Sequence, residues 1–248
     1  MPSVSRLPVS PQQSSDLVSS VAPQKVEFNN MAQQDGSKTT NLRDRPEIQK
    51  VIAQFKATYG AGATEKFVAA APGRVEIVGN HTDYNEGFVL SAAIDLRCYL
   101  VAGLADEEDI NSETAGDASA GGGVLSATFA SSAFPDEKDR CQIANIFDQQ
   151  ALADSKSAPP KWAKYVKGVI LEFQQKYAER FTAATTSASS FKGKHLQVFI
   201  HSDVPLGGAV SSSAALEMAT CKLMDAIFPG GTANDDLADI LLARKRKT

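Results

Sequence analysis

Apolar residues at Ile48, Val51, Ile52 and Phe55 recur every three or four positions behind Pro46, and Gly60 follows. That spacing predicts a helix from Pro46 to Tyr59, opened by proline and stopped by glycine. The same period returns from Trp162 to Phe181 through Tyr165, Val166, Val169, Ile170, Phe173 and Tyr177, the clearest amphipathic helix in the chain. Elsewhere the pattern shortens to that of strands. Phe67–Ala71, Val75–Val78, Phe88–Val101 and Val124–Phe129 are candidates, the third long enough to contain a bend or bulge. Leu196, Val198 and Ile200 alternate, which predicts a strand from His195 to His201. Residues 138–155 have helical character and stop before Pro159 and Pro160. A Gly-rich turn at Pro205–Ala209 leads into an Ala-rich helix through Ile227, and a last helix from Asp235 runs into Arg244, Lys245, Arg246 and Lys247.

Between these elements lie two stretches of different composition. Residues 1–45 are rich in Ser, Gln, Pro and Asn with no sustained period, too little apolar surface to offset the entropy of ordering, and read as a disordered tail. Their serine content raises an organelle leader as an alternative, but Arg6 alone supplies positive charge before Lys25, which favours a plain tail. Residues 106–123, with acids, Ser, Ala and the run Gly121-Gly122-Gly123, read as a flexible acidic surface insertion.

Composition narrows the classes of function. The 248 residues suffice for one large or two small domains, and 43% hydrophobic with 22% charged residues is ordinary globular usage. Lys plus Arg number 25 against 29 acids, a formal charge of −4, without the basic excess that nucleic-acid binding needs. Cys98, Cys141 and Cys221 are few, odd in number and far apart, which fits neither a disulfide framework nor a zinc cluster and points to a reducing compartment. No apolar run is long enough to cross a bilayer, so no membrane partner is expected and a cytoplasmic location is.

Two constellations could carry chemistry. In the first, strand-like runs flank Asn80, His81, Thr82 and Asp83, a loop of donors and acceptors of the kind that tells sugar hydroxyls apart. Asn, Asp and Gly are also ordinary turn formers, and His81 with Asp83 lacks a third partner for a metal. Arg74 follows Pro72-Gly73, where a sharp turn could aim a fixed cation at an anion. In the second, a strand is followed by Gly207, Gly208, Ala209, Val210, Ser211, Ser212 and Ser213 and then a helix. Small residues admit an anion to the backbone, helix-start amides and the helix dipole favour it, and a serine hydroxyl can reach a hard cation such as magnesium. The same residues would also serve as a serine cap on a buried Ala-rich helix. No lysine stands in the P-loop register, and protein-kinase signatures and a serine-hydrolase elbow are missing.

Together, the Pro-Gly-Arg to Asn-His-Thr-Asp-Tyr-Asn segment at 72–85 and the Gly-Gly-Ala-Val-Ser-Ser-Ser-Ala-Ala segment at 207–215 resemble, in order and separation, two signature motifs of galactokinases. These belong to the superfamily that also holds homoserine, mevalonate and phosphomevalonate kinases, and the resemblance runs from about residue 46 to residue 244. It implies an α+β fold, the N-terminal kinase lobe with a mixed sheet and packed helices over residues 46–230. Residues 231–248 would then begin a second lobe that is incomplete.

What the resemblance implies for function is ATP-dependent phosphorylation of galactose at its anomeric hydroxyl, with ATP and magnesium as cofactors, by a monomer when the chain is complete. Arg74 would stabilise the transferring phosphoryl group, and Asn80, His81, Thr82 and Asp83 would line the sugar pocket, Asp83 foremost. Gly207 to Ser213 would surround the ATP phosphates, and Ser213 would bind magnesium. Trp162 and Tyr165 resemble residues that flank adenine, although both equally suit packing of an amphipathic helix. Two departures stand out. The family's Met-Asp-Gln segment, with its acidic magnesium ligand and base, has no counterpart before Thr248, so apolar surface that a second lobe would cover is expected to be exposed. Asn80 stands where galactokinases usually carry Glu, which exchanges an anionic acceptor for an amide and opens related sugars such as N-acetylgalactosamine. A sugar and nucleotide sensor without turnover, or an inactive fragment, is the competing class.

Overall fold

A computed structural model describes residues 42–79, 87–106, 125–143, 160–185, 191 and 193–230. Helix α1 spans Pro46–Tyr59, strand β1 Glu65–Val78, β2 Leu90–Asp106, β3 Ser126–Ser131 and β4 Phe134–Gln142. Helices α2 (Lys161–Lys176) and α3 (Ala178–Thr185), strand β5 (Lys194–Ser202) and helix α4 (Ser212–Ile227) follow. The five strands form one sheet in the order β1-β2-β5-β3-β4. Only β3 and β5 run parallel; the other neighbours are antiparallel, so the sheet is mixed.

Strand alternation divides the core into two layers. On one face Ala69, Ala71, Cys98, Leu100, Phe129, Val198 and Ile200 pack with α2 and α4, through residues such as Val166, Ile170, Ala219 and Leu223. On the other face Tyr99, Val101, Ala130 and Phe199 receive Ile48, Val51, Ile52 and Phe55 of α1. Those four α1 side chains are the ones spaced at three and four in the sequence, and burying each contributes roughly 2 kcal/mol. A buried ion pair, Lys167 Nζ to Asp139 Oδ2 at 2.7 Å and Oδ1 at 3.0 Å, ties α2 to β4. All three cysteines are free, and burial pushes each thiol up to about 12, which keeps them protonated and unreactive. Among the described residues no helix is long and apolar enough to cross a membrane.

Several sequence expectations need correction. Pro72-Gly73 is not a turn, because β1 runs through it unbroken. The irregularity falls on the partner strand: Pro72 pairs with Arg97 and Arg74 with Ala93, so Gly73 alone faces Ile94, Asp95 and Leu96. The start of the stretch expected to be helical, through Gln142, belongs to β4, an edge strand whose exposed Asp136, Glu137, Lys138 and Arg140 mask the strand pattern and discourage further pairing. The long amphipathic helix breaks at Tyr177, which leaves helical geometry while its N–H still bonds Phe173 O at 2.9 Å, and α3 resumes at Ala178. Leu42–Asp44, assigned to the tail, forms a 3-10 turn leading into α1. Asp106 ends β2 and pairs with Lys194 at 2.6 Å; the rest of the insertion and the helix expected from Asp235 lie outside the described residues. Beyond Arg74 the paired strands carry exposed apolar side chains at Val75, Ile77, Val78 and Leu90, and Val89 just before β2 is exposed as well.

His195 of β5 is fully buried, with Nδ1 2.6 Å from Ser126 Oγ and Nε2 2.8 Å from Thr128 Oγ1. Burial, helped by the Arg140 charge, lowers its pKa from 6.5 to about 4. A group that loses proton affinity on folding contributes fully above its unfolded pKa, and that contribution drains away as pH falls toward its folded pKa. Stability should therefore drop between pH 6.5 and about 4, by on the order of 3 kcal/mol from this residue. Denaturant unfolding across that window should show the loss in the wild type and a visibly flatter profile in His195→Asn.

Candidate functional site

Strand β5 ends at Ser202 and α4 begins at Ser212, so the nine residues 203–211 must connect the sheet to a helix start in a short span. The root of this loop is fixed by three kinds of contact. Asp203 donates its N–H to Arg97 O at 2.9 Å. Its Oδ1 lies 3.2 Å from His201 Nε2, and His201 Nδ1 lies 2.8 Å from Ser132 Oγ. Val204 is buried, its N–H donated to Ser202 Oγ at 3.2 Å. Tyr99 stacks on His201 with centroids 6.4 Å apart, and burial, reinforced by the Asp203 carboxylate, holds its phenol above the ordinary value and neutral.

At the crest the backbone alternates. Gly207 has φ 72°, Ala209 φ 54° and Ser211 φ 62°, while Gly208 and Val210 between them are not left-handed. Such alternation turns successive N–H groups toward one point and forms an anion-binding concavity. Two of its three left-handed residues carry a Cβ, each in a conformation that costs an L-residue about 1 kcal/mol or more. Strain of this kind marks sites where geometry serves a ligand rather than stability.

The helix start adds donors. Ser211 is the residue before α4 and makes no side-chain cap bond, and the first helical bond is Ala215 N–H to Ser211 O at 3.0 Å. Among the described residues no backbone carbonyl accepts from the amides of residues 209–214. The first turn of α4 holds no acidic residue to occupy them. The amides, the helix dipole and the hydroxyls of Ser212 and Ser213, the latter exposed, therefore favour an anion in front of α4. Ser213 Oγ is a hard oxygen donor and suits magnesium when phosphate oxygens complete the shell.

The two sequence constellations meet here through the backbone. Arg74 N–H donates to Val210 O at 3.0 Å, which seats the loop on the outer edge of β1. The Arg74 side chain is exposed, so a cation is rooted beside the amide concavity. Asn80, His81, Thr82 and Asp83 lie outside the described residues. Trp162 lies in the core cluster, with its indole N–H donated to Glu137 Oε2 at 3.0 Å, whereas Tyr165, one turn on, is 38% exposed. The sequence reading did not identify Asp203, His201 and Ser132 as the anchor of the loop, nor Val210, through its carbonyl, as the joint to β1. A glycine inside a strand is the one available signal of close backbone approach, and Gly73 is such a glycine.

Comparison with known proteins gives a consistent picture. The galactokinase galactose-binding signature matches residues 53–104, and the GHMP kinases N terminal domain matches residues 164–247. The chain is 32% identical to a Homo sapiens galactokinase over 187 residues, covering 75% of this chain and 39% of that protein. It is 34% identical to a Canis lupus familiaris galactokinase over 186 residues, with 74% and 39% covered. The chain thus spans about two fifths of the length of the curated relatives it matches. The fold is similar to that of Lactococcus lactis galactokinase complexed with galactose, with TM-score 0.56, 20% identity and 81% of this chain and 42% of that chain covered. It is also similar to Methanococcus jannaschii mevalonate kinase, at TM-score 0.51, 14% identity and 73% and 46% coverage. The mixed sheet with packed helices matches the N-terminal lobe of that fold.

The strain at Ser211 has a measurable consequence. Because its side chain makes no cap bond, Ser211→Gly removes a left-handed penalty without removing a hydrogen bond. After allowing for the extra entropy of glycine in the unfolded chain, the variant should be more stable by about 0.5 kcal/mol. Urea unfolding checks the sign; a loss of stability would show that the loop is not strained at this position.

Proposed function

From the premise that this chain belongs to the galactokinase family, we propose that it forms the sugar- and nucleotide-binding lobe of an enzyme that phosphorylates galactose with ATP. The observation that carries the reading is the bond from Arg74 N–H to Val210 O, a contact between a cation-bearing strand and the loop before α4 that supports a shared site. Phosphoryl transfer asks a protein mainly to position reactants and to stabilise charge on the moving group, and these are the parts present.

In this reading the amides of residues 209–214 would hold the ATP phosphates, and Ser213 Oγ would hold magnesium, which would supply neutralisation of the phosphate charge. Arg74 reaches the transferring phosphoryl group and stabilises the transition state more than the ground state. Asn80, His81, Thr82 and Asp83 bind the sugar hydroxyls, with Asp83 the principal acceptor. Tyr165 flanks the adenine, with Trp162 of the same helix held in the core by Glu137. Residues 46–230 form the binding lobe and 231–248 lead into a second lobe, which in a longer protein would supply the acidic base. The substrate is a small molecule and the protein cytoplasmic, in keeping with three free, protonated thiols.

Asn80 favours testing a second sugar. An amide in place of the family's usual carboxylate can accept from one group and donate to another, as an N-acetyl substituent requires. Galactose and N-acetylgalactosamine affinities measured side by side decide the preference.

The experiment for the main reading is calorimetric titration with MgATP and galactose, followed by an assay of galactose-dependent ADP formation. Both ligands should bind. Arg74→Ala should weaken MgATP by about tenfold and lower any turnover by about a hundredfold or more, and Asp83→Ala should weaken galactose without affecting nucleotide. Binding of both with no turnover would identify a sensor or a lobe dependent on the rest of a longer protein. Folded protein that binds neither would refute the reading.

A further inference from the structure

We infer that Gly73 is a positioning residue: the absence of a side chain there lets the carbonyl of Val210 seat against β1, and this contact aims the Ser211 amide and Arg74 at the same anion. The inference rests on the phosphate-loop reading and deepens it, since it names the residue that couples the two motifs.

Gly73 is buried between three groups. A Cβ at this position would lie 2.9 Å from Val210 O, 3.0 Å from Val204 Cγ1 and 3.1 Å from Ile94 Cδ1. Two of these are ends of side chains that can move by a few tenths of an ångström. The third is a backbone oxygen already committed to Arg74 N–H at 3.0 Å, in a loop held at its root by Asp203. Gly73 is not left-handed, so its backbone geometry does not call for glycine; the approach of Val210 does.

That approach has a directional result. The peptide between Val210 and Ser211 is trans, so its C=O and N–H point to opposite sides. Pinning the carbonyl onto β1 therefore turns the Ser211 N–H away from β1. The same bond fixes the main chain of Arg74. A displaced Val210 carbonyl would rotate the Ser211 amide and release Arg74 from its place beside the loop at one stroke.

The test separates this from ordinary packing. Amide hydrogen exchange by NMR and MgADP affinity by calorimetry are measured on the full chain for wild type, Gly73→Ala, the pair Ile94→Val with Val204→Ala, and all three together. The pair removes the two side-chain atoms a Cβ would meet and leaves the backbone oxygen. Gly73→Ala should speed exchange at the Arg74 amide by at least about tenfold and weaken MgADP by about tenfold. Measured against the pair, the triple variant should regain thermal stability yet keep both losses. Recovery of MgADP affinity along with stability in the triple variant would overturn the inference, as would an Arg74 amide in Gly73→Ala that exchanges as in wild type. Should Gly73→Ala fail to fold, wild type decides alone: MgADP should slow exchange at Arg74, and no slowing would overturn the inference. Absence of MgADP binding by wild type is a separate result that refutes the phosphate-loop reading itself, and in that event the Arg74 exchange rate in Gly73→Ala still decides whether strand and loop are coupled.

Discussion

One main-chain hydrogen bond, Arg74 N–H to Val210 O, joins two stretches of sequence that are more than a hundred residues apart. It is made at the edge of the sheet, where β1 offers an N–H that has no further strand to pair with, and the loop before α4 takes the place of that strand. A backbone contact of this kind is indifferent to side-chain identity except where a side chain would intervene. Gly73 is that exception, and the strain at Ala209 and Ser211 is the cost the fold accepts for the loop geometry that results.

The rest of the molecule serves to hold that joint still. The sheet is gripped between α1 on one face and α2 with α4 on the other, so Arg74 of β1, Arg97 of β2 and the end of β5 form a packed frame for the loop. Polar groups on the α1 face are paired with one another rather than left to solvent: His195 with Ser126 and Thr128, His201 with Ser132 and Asp203. The second of these sets anchors the root of the loop. α4 is then aimed by its own packing, with Ala215, Ala219, Leu223 and Met224 buried, so that its amide end faces the concavity.

Much of this was legible in the sequence because hydrophobic spacing is a direct image of burial. Helix α1 begins and ends where Pro46 and Gly60 place it, and β5 and α4 fall close to their expected bounds. The failures have physical reasons. β4 hides behind charges that protect an exposed edge, and Pro72-Gly73 looks like a turn although an edge strand tolerates proline and a close contact requires glycine. The serine-rich loop was readable from composition as a candidate anion loop, but its alternating left-handed residues were not, since Ala209 and Ser211 are not residues that announce positive φ. The coupling of the two motifs was likewise invisible, because it runs through a carbonyl that every residue possesses.

The most direct measurement of the central contact is the scalar coupling that NMR detects across a hydrogen bond, here from the Arg74 amide nitrogen to the Val210 carbonyl carbon. The account predicts a correlation between these two nuclei in the protein without ligand. A correlation from the Arg74 amide to a different carbonyl would contradict it, because strand and loop would then not be joined where the site requires.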